Sequence, residues 1–196
     1  MNRKEKTQKR QNEIIVKVVS MLNELNFKDA TVRKICAAAQ ISTGTFYHYF
    51  PTKNALAARI LGKIDEYLTE NVLPKLTDED EVKNLIQFAR GFAQYANGVG
   101  SATGHVISTA DFPLPSTGEE IREEHRRALY SIPRQILQRG VEKKQFSKNL
   151  DLDETVDQIV IILRGHSLEW SRRGRTYDIE SKIDRFIRMF IRALTD

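Results

Sequence analysis

Residues 31–53, TVRKICAAAQISTGTFYHYFPTK, bring together the residue types best suited to gripping an external polyanion. Thr31, Ser42 and Thr52 each stand just before a short run that reads as a helix, where a hydroxyl can accept from a free amide of the first turn. Arg33 and Lys34 follow the first of these caps, and Lys53 follows the third. Cations at a helix start oppose the macrodipole, at a cost of a few tenths to about 1 kcal/mol each. A phosphate arriving from outside reverses that sign, because the same helix ends offer unpaired amides. The second run puts Phe46, Tyr49 and Phe50 on one stripe, which leaves Thr43, Gly44, Thr45, Tyr47 and His48 facing outward. That face is rich in hydroxyls and aromatics and has no carboxylate. Gly44 costs about 1 kcal/mol relative to Ala inside a helix, a cost that makes sense if a sugar-phosphate backbone comes close. The candidate DNA-contacting set is thus Thr31, Arg33, Lys34, Ser42, Thr43, Gly44, Thr45, Tyr47, His48 and Lys53.

The elements that hold these residues are helical. Apolar residues recur at three and four throughout, and no segment alternates with period two, so the fold class expected is all-α, with about nine helices in total. A first helix over about 5–25 carries Ile14, Ile15, Val18, Val19, Leu22 and Leu25 on one stripe. The run after Thr31 buries Val32, Ile35, Cys36 and Ala39, and Gln40-Ile41-Ser42 connects it to the second run. Together these form an N-terminal three-helix helix-turn-helix domain over 1–52, followed by a larger helical domain over 53–196. The larger domain opens with a linker helix over about 53–73, whose inner face is Leu56, Ile60, Ile64 and Leu68. A helix over about 78–97 has two apolar stripes and belongs in the middle of that domain. Ser101 caps a short helix to about Ala110, and Pro113 and Pro115 punctuate a loop. One helix over about 117–144 contains Pro133, where a missing amide predicts a kink. Helices over about 152–173 and 178–194 end the chain, the last with an unbroken stripe from Ile179 to Leu194 that calls for a partner.

Charge separates the two parts. Residues 1–53 hold ten Lys/Arg against four Asp/Glu, while 54–196 hold 21 against 22, so the net +5 comes from the N-terminal segment alone. A basic module joined to a near-neutral remainder suits a polyanion binder with a second role behind it. The single cysteine, Cys36, excludes an intramolecular disulfide and lies on a buried stripe, which favours a packed thiol. The opening MNRKEK predicts no secretory signal, and the longest apolar runs, Ile35–Ala39 and Ile159–Leu163, fall far short of the roughly 20 residues of a membrane span. A cytoplasmic location is therefore expected, with no membrane contact. His105, His125 and His166 have no ligand partners at metal spacing, and no paired nucleophile or cofactor loop is present. No catalytic residue, metal or cofactor is therefore assigned, and the chain is not expected to be an enzyme. Phe88, Phe92, Tyr95, His105, Phe112, Tyr130, His166 and Trp170 are candidates to line an effector cavity in the larger domain, suited to an amphipathic ligand.

Thr31, Ile35, Ala38-Ala39, Ile41-Ser42, Gly44-Thr45-Phe46-Tyr47-His48-Tyr49-Phe50 and Lys53 resemble the N-terminal domain of the tetracycline-repressor (TetR/AcrR) family over about residues 10–60. Gln40 departs from the glycine usual at its turn position. The resemblance implies a homodimer built from the last two helices of each subunit, a near-palindromic double-stranded DNA operator and a small-molecule effector whose binding releases a repressor. It also carries Arg33, Thr43 and Thr45 over as base-edge contacts, with Tyr47, His48 and Lys53 on phosphates. The alternatives are a constitutive DNA-binding regulator without an effector and a small helical enzyme using His105 or His166.

Overall fold

The computed structural model describes residues 3–25, 27–100, 102, 104, 106 and 118–195, and these are helical with no strand among them. The chain runs through α1 (Arg3–Leu22), α2 (Val32–Ala39), α3 (Thr43–Tyr49), α4 (Lys53–Tyr67), α5 (Glu81–Val99), α6 (Gly118–His125), α7 (Ala128–Glu142), α8 (Leu152–Arg172) and α9 (Ile179–Arg192). A π-turn over Leu68–Val72 and a 3₁₀ turn over Leu73–Lys75 continue α4 toward Pro74 and end it. No helix among the described residues is long and apolar enough to cross a membrane.

The apolar stripes close into two clusters. One gathers Ile14, Val18 and Leu22 of α1, Ile35 and Ala39 of α2, Phe46 and Phe50 around α3, and Leu56, Ala57 and Ile60 of α4. The other is built around α5, which packs against α9, α7 and α8, and takes Ile64 and Leu68 from the linker helix. α4 thus belongs to both, as its period-four stripe requires. Ala102 and Val106 also sit in the N-terminal cluster, fully buried, although they follow α5 in sequence. Gly104, between them, is helical and buried as well; the other residues expected in the Ser101–Ala110 helix and the Pro113–Pro115 loop lie outside the described residues.

Two expectations need correcting. The expected single helix over 117–144 is two helices, and the interruption falls at Arg126–Arg127, ahead of Pro133, which lies within α7. Arg127 is extended and gives α7 no side-chain cap of its own. Asp65 of α4 supplies one instead, its Oδ1 accepting from the Leu129 amide at 3.0 Å and its Oδ2 from Arg127 Nε at 2.9 Å. The second correction concerns the stripe of α9. Ile179, Ile183, Ile187, Ile191 and Leu194 are buried within the subunit's own core, so only the neighbouring flank calls for a partner. That flank carries Phe186 and Phe190, half-buried and stacked at 6.0 Å, with Met189 62% exposed, and Ile161 of α8 is also 60% exposed.

Candidate nucleic-acid interface

All three helix starts are capped as the hydroxyl positions require. Thr31 Oγ1 accepts from the Lys34 amide at 3.3 Å, Ser42 Oγ from the Thr45 amide at 3.0 Å, and Thr52 Oγ1 from the Ala55 amide at 3.0 Å. Ser42 Oγ and Thr45 Oγ1 also share a hydrogen bond of 2.8 Å, which fixes the first turn of α3. Phe46 and Phe50 anchor this seven-residue helix in the core, and Gln11 of α1 holds its far end by donating to the Tyr49 carbonyl at 3.0 Å. Thr43, Gly44, Tyr47 and His48 are left exposed on one face, with Thr45 half-buried beside them. Tyr47 is 51% exposed and lies edge-on to Phe46 at 5.2 Å, so its ring is propped outward. A Cβ built on Gly44 meets nothing nearer than Ser42 Oγ at 3.8 Å. Among the described residues no contact requires glycine there.

The turn between α2 and α3 is held in a left-handed conformation at Gln40, with φ 57° and ψ 49°. This is the geometry in which glycine carries no side-chain penalty. Here Gln40 adopts it with help from α1, because Lys17 Nζ donates to the Ala39 carbonyl at 3.3 Å and to Gln40 Oε1 at 3.2 Å.

The cations divide into two groups. Arg33 is exposed on the first turn of α2. Lys34 and Lys53 instead fold back on the chain. Lys34 Nζ donates to the Asp29 carbonyl at 3.2 Å and Lys53 Nζ to the Lys28 carbonyl at 3.4 Å. Burial pulls the Lys53 ammonium below its usual range, against the opposing pull of Asp29. Both lysines thus bond to adjacent carbonyls of the short turn before α2.

The effector candidates are spread through the larger domain. Phe88, Phe92, Tyr130 and Trp170 are buried in its core, and Tyr95 is packed against it. Trp170 Nε1 donates to the Tyr177 carbonyl at 2.8 Å, while Arg175 lies 5.1 Å from the centre of its ring. Tyr130 donates to Glu124 at 3.0 Å, accepts from Arg164 at 3.0 Å and stacks on His125 at 5.0 Å. Burial, opposed by Arg164 and reinforced by Glu124, pushes its phenol up to about 12. Tyr95 meets Tyr67 at 5.2 Å, and burial, then Glu66 and Asp65, drive its phenol well above the usual range. His166 packs on Phe186 at 5.7 Å, its imidazole pulled down by burial and by Lys182. His105 and Phe112 lie outside the described residues. Two open polar grooves, one bordered by Asp78, Lys83 and Lys143 and one by Asp65, Glu66 and Arg126, include none of the eight. The sequence reading missed Asp65 and Arg127, which join the linker helix to α7. No local signal marks them, because the partners are 62 residues apart.

Residues 14–60 match the model of the bacterial regulatory proteins of the tetR family. The uncharacterised HTH-type transcriptional regulator YdeS of Bacillus subtilis (strain 168) is 27% identical over 151 residues, covering 74% of this chain and 72% of that protein. Among solved structures, the transcriptional regulator FadR from Bacillus subtilis in complex with stearoyl-CoA superposes with a TM-score of 0.74 at 17% identity, over 91% of this chain and 96% of that one. RolR in complex with resorcinol superposes with a TM-score of 0.61 at 18% identity, over 98% and 90%. At these identities the two structures are alike in fold.

Proposed function

We propose, from the match of residues 14–60 to the tetR family of bacterial regulatory proteins and the likeness to an HTH-type transcriptional regulator, that the chain is a DNA-binding regulator of that family, a cytoplasmic, dimeric repressor released from a near-palindromic operator by a small-molecule effector. The observation that carries this reading is the exposed face of α3 beside three cations at the start of α2 and α4. In this reading residues 1–52 form the reading domain and 53–196 the effector and dimer domain. Arg33, Thr43 and Thr45 reach base edges, Arg33 by paired bonds to guanine. Tyr47, His48, Lys34 and Lys53 hold phosphates, with the capped turns of Thr31 and Ser42 and the bare backbone at Gly44 alongside, and these fix register without reading sequence. The half-exposed flank of Phe186, Met189 and Phe190, with Ile161, forms the dimer contact. That FadR was solved with stearoyl-CoA and RolR with resorcinol supports an effector site in the larger domain.

The experiment is selection of bound duplexes from a random pool, repeated with Arg33→Ala and Lys53→Ala. A near-palindromic site is expected. Arg33→Ala should relax the choice at one base pair by about 1–3 kcal/mol, whereas Lys53→Ala should weaken all duplexes alike and lower the salt slope by about one unit. A protein that holds no selected duplex more tightly than heparin would refute the reading.

A further inference from the structure

Arg59 of α4 carries an unmet polar demand. Its Nε and Nη2 atoms are buried and have no hydrogen-bond partner among the described residues. These two atoms share one edge of the guanidinium plane, the edge that a carboxylate or phosphate grips with two parallel bonds. The chain uses that edge in this way elsewhere. Arg139 donates Nε and Nη2 to Glu81 at 2.8 and 2.9 Å, and Arg127 turns the same pair toward Asp65, each at 2.9 Å. A guanidinium cannot shed its proton to escape burial, so an unpaired one is costly until an anion arrives.

The surroundings of Arg59 suit a ligand. Arg59, Gly62, Lys63, Glu66 and Tyr67 recur at spacings of three and four, and all are half-buried on one face of α4. A Cβ built on Gly62 meets nothing within 4 Å among the described residues, one turn beyond the arginine. Farther along, Lys63 is paired with Glu66, and Tyr67 lies against Tyr95. Asp65 is committed to Arg127. The charge left unbalanced on this face is that of Arg59, and the far end is aromatic.

We propose that Arg59 is the anion-binding residue of the effector site, holding the carboxylate or phosphate of a ligand whose apolar body runs along α4 toward Tyr67 and Tyr95. This rests on the effector-responsive reading above and gives it a ligand class. Because α4 supplies residues to both cores, an oxyanion seated there acts on the helix that joins them.

The test compares wild type with Arg59→Met by thermal unfolding and by titration. The probes are inorganic phosphate, octyl phosphate, octanoate and benzoate, with octanol, octanamide and benzamide as neutral counterparts. At least one anion should stabilise wild type more than its neutral counterpart, and Arg59→Met should lose affinity for it by about ten- to a hundred-fold. Ligand-free Arg59→Met should melt at or above wild type, because a buried uncompensated cation has been removed. Octyl phosphate against octanoate tells which oxyanion is preferred. No preference for any anion, unchanged anion affinity in Arg59→Met, or a ligand-free variant that melts well below wild type overturns the assignment. If a neutral probe releases DNA from both proteins alike, the effector reading stands and only the role of Arg59 falls. If no probe binds or releases DNA, both fall.

Discussion

Glu81 gives the most quantitative handle on the larger domain. This carboxylate is 1% exposed at the start of α5 and is clamped from α7 and the turn after it. It accepts from Arg139 Nε at 2.8 Å and Nη2 at 2.9 Å, from Lys143 Nζ at 2.9 Å and from Asn84 Nδ2 at 2.9 Å. Burial alone would raise its pKa, but the bonds from Arg139, Asn84 and Lys143 outweigh burial and bring it to about 2. Against an unfolded value of about 4.3, that shift corresponds to about 3 kcal/mol. Replacing Glu81 by Gln keeps the shape and removes the charge. Arg139 and Lys143 are 38% and 42% exposed, so they can turn to water and leave no trapped cation. The expected cost at pH 7 is therefore about 2–3 kcal/mol, a fall of roughly 4–12 °C in Tm for a chain of this size. The sign with pH follows from the depressed value. The stabilisation is full above about pH 4.3 and drains away as pH falls toward 2. Urea unfolding of wild type and Glu81→Gln at pH 7, 5, 4 and 3 should show a gap that is constant from 7 to 5 and narrows below. A gap under about 1 kcal/mol at pH 7, or one as wide at pH 3 as at pH 7, would refute the reasoning.

Two further substitutions test the joints around the reading head. Gln40→Gly removes the left-handed penalty at the turn and forfeits only the exposed Lys17 contact, so thermal unfolding should show a gain of about 0.5–1 kcal/mol; a loss would mean that Lys17 does more than the geometry implies. Asp65→Ala strips the cap from α7 and leaves Arg127 with only the longer contacts to the Leu61 carbonyl at 3.4 Å and Glu124 at 3.9 Å, at an expected cost of about 1–3 kcal/mol by urea unfolding, and a cost near zero would mean that water replaces the cap.

How much was legible in the sequence depended on the range of the interaction. Thr31, Ser42 and Thr52 bond to amides three residues on, so a local pattern sufficed to find the caps and with them the placement of α2, α3 and α4. The same holds for the buried stripes of Ile14, Val18, Leu22, Phe46 and Phe50, whose period is that of the helix itself. The fold of Lys53 onto the Lys28 carbonyl, 25 residues away, carries no such signature. Nor does the break at Arg126–Arg127. Pro133 was the visible breaker, yet α7 runs on through it and forfeits only the amide that would reach the Leu129 carbonyl, whereas Asp65 stabilises a fresh start at Leu129 from another element. The stripe of α9 was read correctly as a stripe, but periodicity does not say which protein supplies its partner, and α5 of the same chain covers most of it.

The two cores are tied by more than the linker helix, which constrains how any signal reaches α3. Asn23 at the end of α1 accepts from the Ala102 amide at 3.2 Å. Gly100 makes this approach possible, since it has a φ of 69° and a Cβ there would meet Asn23 Oδ1 at 2.4 Å. Ala102 and Val106, both fully buried, then pack in the same cluster as Leu56 and Ile60. If α4 shifted and carried Leu56 and Ile60 away while the 100–106 stretch stayed behind, the N-terminal core would open. Exposing apolar area there costs roughly 25 cal/mol for each Å², and close-packed interiors do not stretch to avoid it. The low-cost motion is one in which α4 and the 100–106 stretch move together and take α1 with them. Reorienting the reading helix therefore requires both ties to shift as one unit, and a ligand that moved α4 alone would work against the core that holds α3 in place.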